Sequence, residues 1–310
     1  MRAVRNTDSG PALVDVDEPD GDGALLTIVS SSVCGTDIGL VAMGSTGYTL
    51  GHEFAGLAED GRAYAVEPSL SCGTCPECLS GQTQRCVGSH TNLGIFVDGG
   101  LCERIRVPHA NLVPLSPGLD VTDACLVEPG AVAWHGMARA AIQPGERVVV
   151  VGGGAIGLLA VAAARHLGIR ADLDARYAHQ RVAGERFGAG SPSGEYDVVI
   201  EAAGTESGLA RCGELARPGG RVILLGVYFG LAPIPGVSTL VKELSWIGAM
   251  AYGRRNGERE VDQVAAMLAA SPDIAATLIT HRFALEEAVD AFRVAADRQS
   301  GVIKVAIHPS

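Results

Sequence analysis

Four cysteines lie within fifteen residues, spaced Cys72-x2-Cys75-x2-Cys78-x7-Cys86. Zinc takes four soft ligands in a tetrahedron at about 2.3 Å, and short C-x2-C loops bring thiolates to that distance. Gly73, Pro76 and Gly81 supply the turns between them. Four thiolates leave no place for water, so a site of this kind is closed and structural. The competing reading, two disulfides or a redox cluster, suits a secreted chain. Here the N-terminus, Met1-Arg2-Ala3-Val4-Arg5-Asn6, has no signal-peptide core.

A second set of residues is dispersed: Cys34-Gly35-Thr36-Asp37, Gly51-His52-Glu53 and Leu126-Val127-Glu128-Pro129. A lone cysteine or histidine is more often a packed residue than a ligand. Together, Cys34, His52 and Glu128 offer a thiolate, an imidazole and a carboxylate. Three protein ligands with a fourth position open describe a catalytic zinc.

The third feature is Gly152-x-Gly154-x-x-Gly157, which follows the apolar run 147–151 and opens an Ala/Leu-rich helical stretch ending near Gly168. A strand, a glycine turn and a helix in this order form a dinucleotide-binding element. Gly152 makes the turn, Gly154 lets the backbone approach a pyrophosphate, and Gly157 lets the helix pack on the sheet. The backbone amides at the helix start, Ala155 and Ile156, would bind the phosphates. The bland alternative is a glycine-rich turn with no ligand.

The elements that must position these groups fall into two kinds. Up to about residue 115, short apolar runs alternate with Gly and Pro turns. Strands are expected at 24–30 and 101–107, and no helical segment of length before Val121. The middle alternates buried strands at 147–151, 196–200 and 221–225 with helical stretches, the pattern of a doubly wound parallel sheet. An amphipathic helix over 285–296 and a strand over 302–307 close the chain. The expected fold class is therefore α/β, with a β-rich part and a parallel-sheet part. The 310 residues suit two domains.

Composition excludes other classes. With 24 basic against 35 acidic residues, the net charge of −11 argues against nucleic acid, whose phosphates need clustered Lys and Arg. The longest apolar stretch, 148–164, is broken by Gly152, Gly153, Gly154 and Gly157, so no membrane span is expected. The chain reads as soluble and cytoplasmic.

Taken together, Val33-Cys34-Gly35-Thr36-Asp37, Gly51-His52-Glu53-Phe54-Ala55-Gly56, the four-cysteine lobe, Val127-Glu128-Pro129 and the glycine turn resemble the zinc-containing medium-chain dehydrogenase/reductase family. The resemblance covers essentially the whole chain. It implies a GroES-like catalytic domain at 1–129 and 257–310, and a Rossmann domain at 130–256. It also implies a zinc-dependent alcohol dehydrogenase with two zincs per chain, one catalytic and one structural. Cys34 and His52 would be zinc ligands, Glu128 would hold the third-ligand position, and Glu53 would coordinate transiently as water and substrate exchange. Thr36 would take the proton of the bound alcohol, and Asp37 would orient His52. A small alcohol or carbonyl is implied as substrate, and Glu128 tilts this towards secondary alcohols, polyols or sugars. A homodimer or homotetramer is implied too, joined through the cofactor-sheet edge near 224–235.

Two departures from the family's pattern stand out. Many members carry a histidine five residues after the first zinc cysteine, where this chain has Gly39, so its proton exit needs another route. The segment 56–65 is also shorter than usual, which trims a hairpin. By the family's spacing, Ala175 occupies the position where a carboxylate would accept the ribose hydroxyls of NAD, and Arg176 follows. An absent carboxylate beside an arginine suits the 2′-phosphate of NADP, with Arg181 assisting. Asp174, one residue earlier, keeps NAD as the alternative, and Arg176 has the plain reading of a solvated surface charge. The other readings are a zinc-free double-bond reductase of the same superfamily and a catalytically silent dinucleotide-binding regulator.

Overall fold

The computed structural model describes residues 1–255 and 257–309. The chain divides into two compact units, Met1–Pro129 with Gly253–Ser310, and Gly130–Tyr252. Of the domain limits expected from the sequence, those at 256 and 310 fall on residues outside the described ones.

The first unit begins with the hairpin of β1 (Arg2–Thr7) and β2 (Gly10–Asp15). The ten-residue β3 (Ala24–Val33) then runs directly into α1 (Gly35–Ala42). This helix was not expected from periodicity. What starts it is a capping box: Asp37 Oδ2 accepts the N–H of Cys34 at 2.8 Å, and Cys34 Sγ accepts the N–H of Thr36 at 3.5 Å. There follow β4 (Glu53–Ala58), β5 (Ala63–Val66), β6 (Ser69–Leu70), α2 (Pro76–Leu79), β7 (Thr91–Asn92), β8 (Arg104–Val107) and β9 (Leu112–Pro114). The strand expected from 101 begins only at Arg104. Before it, Leu101 is tied by backbone hydrogen bonds to Val4 and Leu50.

Next come α3 (Val127–Ala140), β10 (Val148–Val151), α4 (Ala155–His166), β11 (Ala171–Asp174), α5 (Ala178–Arg186), β12 (Tyr196–Glu201), α6 (Glu206–Leu215), β13 (Ala216–Leu224), α7 (Gly236–Val241) and β14 (Ser245–Gly248). The chain returns to the first unit through β15 (Arg254–Arg255), β16 (Glu258–Arg259), α8 (Glu260–Ala270), α9 (Asp273–Leu278), β17 (Ile279–Ala284), α10 (Ala288–Ala296) and β18 (Lys304–His308).

In the first unit, β17-β18-β3-β4-β5-β9 form one sheet, with β8 also paired to β3. Its central strands are antiparallel. Ser32 of β3 faces Glu53 of β4 and Ala306 of β18. One core cluster joins Leu26, Ile28, Phe54 and Val107, all buried.

The second unit is a five-stranded parallel sheet in the order β11-β10-β12-β13-β14. Four consecutive buried valines make β10, as a strand covered on both faces requires. The doubly wound α/β arrangement expected from the sequence is present. One expectation needs correcting: the strand before the 224–235 segment, β13, is interior, and the sheet edges are β11 and β14.

At the glycine turn, Gly152 has φ +110°, and a Cβ on Gly157 would lie 1.8 Å from the Gly152 carbonyl oxygen. That contact leaves no room for a methyl group. Gly157→Ala is therefore expected to destabilise the protein by about 1–3 kcal/mol or more, the usual cost of overpacking. Thermal unfolding should show a lowered midpoint; an unchanged one would mean that the helix does not approach the turn this closely.

Candidate active site and metal centres

Cys34 ends the loop after β3 and caps α1, while His52 directly precedes β4. Because β3 and β4 are neighbours in the sheet, the two residues meet although eighteen positions separate them. The ligand atoms of Cys34, His52 and Glu53 all lie within 4.8 Å of one another. A thiolate, an imidazole and a carboxylate at this spacing fit a zinc or similar divalent metal.

Asp37 joins the first two. One carboxylate oxygen holds the N–H of Cys34, and the other lies 3.3 Å from His52 Nδ1, without the alignment of a full hydrogen bond. With Nδ1 turned to Asp37, Nε2 is the ring nitrogen left for a metal. Burial disfavours the charged form of His52, but Asp37 and Cys34 outweigh it and push the ring's pKa well above its usual value. Gly51 permits the approach: it has φ +92°, and a Cβ there would lie 2.6 Å from the Leu101 side chain.

Glu53 has 0% exposure and is heavily engaged. Lys304, 4% exposed, donates to Glu53 Oε1 at 2.7 Å and also to Oε2, and the Ser32 hydroxyl donates to Oε2. Burial works against the charge on Lys304. Glu53 and Cys34 outweigh it and hold the ammonium protonated above its usual range. Lys304 and Ser32 were not among the residues read from the sequence. The signal was a lone lysine in the otherwise apolar run Val302-Ile303-Lys304-Val305-Ala306-Ile307.

Glu128 lies in the first turn of α3, 8% exposed. It is not in the cluster; Glu53 supplies the third donor there. Thr36, the second residue of α1, is half-buried, and Gly39 lies one turn further along the same helix.

The second centre is local. The sulfurs of Cys72, Cys75, Cys78 and Cys86 all lie within 4.8 Å of one another. The Cys72–Cys78 and Cys75–Cys86 sulfurs are each 3.9 Å apart. That is far beyond a disulfide bond. It is close to the roughly 3.8 Å edge of a tetrahedron with 2.3 Å metal–sulfur bonds. The donor set therefore fits zinc. The backbone N–H groups of Thr74 and Cys75 pull the Cys72 thiol down to about 5, towards the thiolate that a metal requires. Gly88, also missed in the sequence, fits beside this cluster because a Cβ there would lie 2.8 Å from Cys72 Sγ.

In the second unit, Gly152 and Gly154 lie in the turn between β10 and α4, and Ala155, Ile156 and Gly157 open α4. Its uncapped helix start presents backbone N–H groups suited to phosphate. Ala175 directly follows β11 and is buried, while Arg176 is exposed. Arg181 donates to the carbonyls of Ala175 and Arg176 at 2.9 and 3.0 Å, so it braces that turn. Asp174 Oδ2 receives Arg211 Nε at 2.5 Å, which engages one oxygen of the carboxylate.

The family profile described as alcohol dehydrogenase GroES-like domain matches residues 20–117. L-galactonate-5-dehydrogenase of Escherichia coli (strain K12) is 32% identical over 296 residues, covering 86% of this chain and 85% of that protein. A protein of Sinorhizobium meliloti 1021, described as a zinc-binding dehydrogenase and solved bound to NADP, superposes with a TM-score of 0.84 at 30% identity, covering 99% of both chains. Galactitol-1-phosphate dehydrogenase from Escherichia coli gives a TM-score of 0.88 at 27% identity over 100% of both chains.

Removing one member of a buried ion pair leaves the other charge stranded. Lys304→Met is therefore expected to destabilise the protein by about 3–5 kcal/mol, with Lys304→Arg recovering part of the loss. Thermal unfolding of the two variants checks this; a Met variant as stable as wild type would show that Glu53 does not depend on the lysine.

Proposed function

The chain belongs to the zinc-containing medium-chain dehydrogenase/reductase family and is an oxidoreductase of the alcohol dehydrogenase type; from that premise we propose that it interconverts a secondary alcohol, polyol or sugar and its carbonyl at a zinc held by Cys34, His52 and a carboxylate, using NADP. The reading rests most on the three donors of Cys34, His52 and Glu53 gathered within 4.8 Å, beside a separate four-thiolate cluster. When bound, the zinc would acidify the substrate hydroxyl, and the nicotinamide would accept hydride.

The residues divide the remaining work. Asp37 orients His52 and fixes the backbone of Cys34. Lys304 and Ser32 hold the Glu53 carboxylate beside Cys34 and His52, and their competition for its oxygens would keep any bond from Glu53 to the metal weak, as a transient ligand requires. Glu128 is the other candidate for the carboxylate position. The Thr36 hydroxyl would take the substrate proton. A threonine is a poor base, so the proton must pass onward, and with Gly39 in place of a histidine, water is the route we propose.

Four observations favour NADP. Ala175 puts no carboxylate where a 2′-phosphate would sit. Asp174, the residue that would restore NAD recognition, is tied to Arg211. Arg176 is exposed next to that position, and a relative at 30% identity binds NADP. The polyol and sugar class draws support from relatives named for galactonate and galactitol phosphate. For a homodimer or homotetramer, the candidate surface is the edge strand β14, together with the exposed apolar residues of α7 and the loop before it, among them Leu231 at 97% exposure, Val237 and Leu240.

Arg176→Ala tests the cofactor reading. A guanidinium–phosphate contact is worth about 1.5–3 kcal/mol, so kcat/KM for NADP should fall by roughly 10- to 100-fold while that for NAD changes little. Equal values for both cofactors, unaltered by the substitution, would reject it. A panel of polyols, sugar acids and simple alcohols should give its highest kcat/KM with a secondary hydroxyl of a polyol or sugar acid; a primary alcohol at the top would overturn the substrate class.

A further inference from the structure

Glu201, the last residue of β12, is fully buried and has no ion pair with any described residue. Its Oε1 accepts the backbone N–H groups of Ala203 and Gly204 at 2.8 and 2.9 Å. Its Oε2 and the hydroxyl of Tyr228 are both sealed from water, and neither is aligned in a hydrogen bond. Burial raises the carboxyl of Glu201 above its usual range, and the Tyr228 hydroxyl, within reach, opposes that shift. Two buried oxygens that face each other without a bond are costly, and a small rotation would pair them.

Three segments of backbone close around this carboxylate. A Cβ on Gly152, in the glycine turn, would lie 2.6 Å from the Ala203 nitrogen. A Cβ on Gly204 would lie 3.2 Å from the Val227 carbonyl oxygen. One on Gly226 would lie 2.3 Å from Glu201 Oε2 and 2.6 Å from the Gly204 Cα. The glycine turn, the 202–204 turn and the 226–228 loop are therefore stacked in contact, with Glu201 beneath them.

The place matters as much as the packing. After β10 the chain adds β11 on one side and β12 on the other, so the strand order reverses at β10 and β12. In such sheets ligands bind outside the carboxyl ends of the strands at that reversal. Glu201 stands at the carboxyl end of β12, in register with Val151 of β10.

We propose that Glu201 and Tyr228 form a latch that positions the dinucleotide-binding loops: the Tyr228 hydroxyl donates to Glu201 Oε2 when the cofactor binds, fastening the 226–228 loop to the 202–204 turn and, through it, to the glycine turn. Both are positioning residues, and the proposal rests on the dinucleotide reading above. Tyr228→Phe removes only the hydroxyl, and Glu201→Gln keeps the side chain's size, so both variants should fold.

NADPH binding is measured by fluorescence titration for wild type, Tyr228→Phe, Glu201→Gln and the double variant, alongside each protein's thermal midpoint without cofactor. Tyr228→Phe should weaken binding about five- to tenfold, the worth of one buried hydrogen bond, and Glu201→Gln should weaken it less, because its amide can still donate to the Tyr228 hydroxyl. The midpoints should hold, and the double variant should bind no worse than the weaker single one. Wild-type affinity in Tyr228→Phe, multiplicative losses in the double variant, or midpoints that fall in step with affinity would each overturn the latch alone. Wild-type protein that binds neither NADPH nor NADH would overturn the dinucleotide reading itself.

Discussion

A carboxylate with no exposure to water cannot stand alone in a protein interior, where desolvation strongly disfavours an isolated charge. Glu53 is such a carboxylate, and much of the first unit is arranged to satisfy it. Its partners are Ser32 on β3, directly across the ladder, and Lys304 at the start of β18, 251 residues away in sequence. Pairing all three requires β4, β3 and β18 to lie side by side in one register. That same register sets the ends of the strands. It leaves Cys34 just past β3 and His52 just before β4, where a thiolate and an imidazole can share one metal. The polar cluster and the metal site are thus consequences of a single strand alignment, and a slip of one residue would reverse which side chains face inward.

The two candidate metal centres are built by different physics. The four-cysteine lobe is local: its ligands span fifteen residues, its turns are set by nearby glycines, and backbone N–H groups of the same segment favour the thiolate. The Cys34, His52 and Glu53 cluster is nonlocal. Its donors meet only after the sheet has assembled, and Asp37 then locks two of them together through one carboxylate. The closed set of four sulfurs suits a structural metal, and the mixed set with three donors suits one that must keep a position open for exchange.

How much of this could be read in the sequence follows from that difference. The cysteine spacing and the glycine turn are contiguous, and both are recovered where the sequence put them. The helix starting at Gly35 was readable too, because Cys34 and Asp37 carry a capping box, yet eight residues are too few for a periodic signal. The family resemblance puts Glu128 in the third-ligand position and Glu53 in a transient role, whereas the structure gathers Glu53, the neighbour of His52 in the chain, with Cys34 and His52; which of the two acidic residues comes close depends on how β3 meets β4, and the sequence does not show that. The partners that satisfy buried charge were invisible for the same reason. Nothing near Glu53 in the chain points to Lys304, and nothing near Asp174 points to Arg211. The edge strand was misplaced because a Gly/Pro-rich segment follows an interior strand as readily as an edge one, and β14 is only four residues long.

The central claim is that Cys34, His52 and a neighbouring carboxylate hold a catalytic zinc distinct from the four-cysteine one. Zinc content measured by elemental analysis, with turnover of an alcohol followed in parallel, tests it most directly in wild type and His52→Ala. The account predicts about two zincs per wild-type chain. It predicts one in the variant, whose turnover is lost while its fold survives. A wild-type protein that holds a single zinc, removable with no loss of turnover, would contradict it.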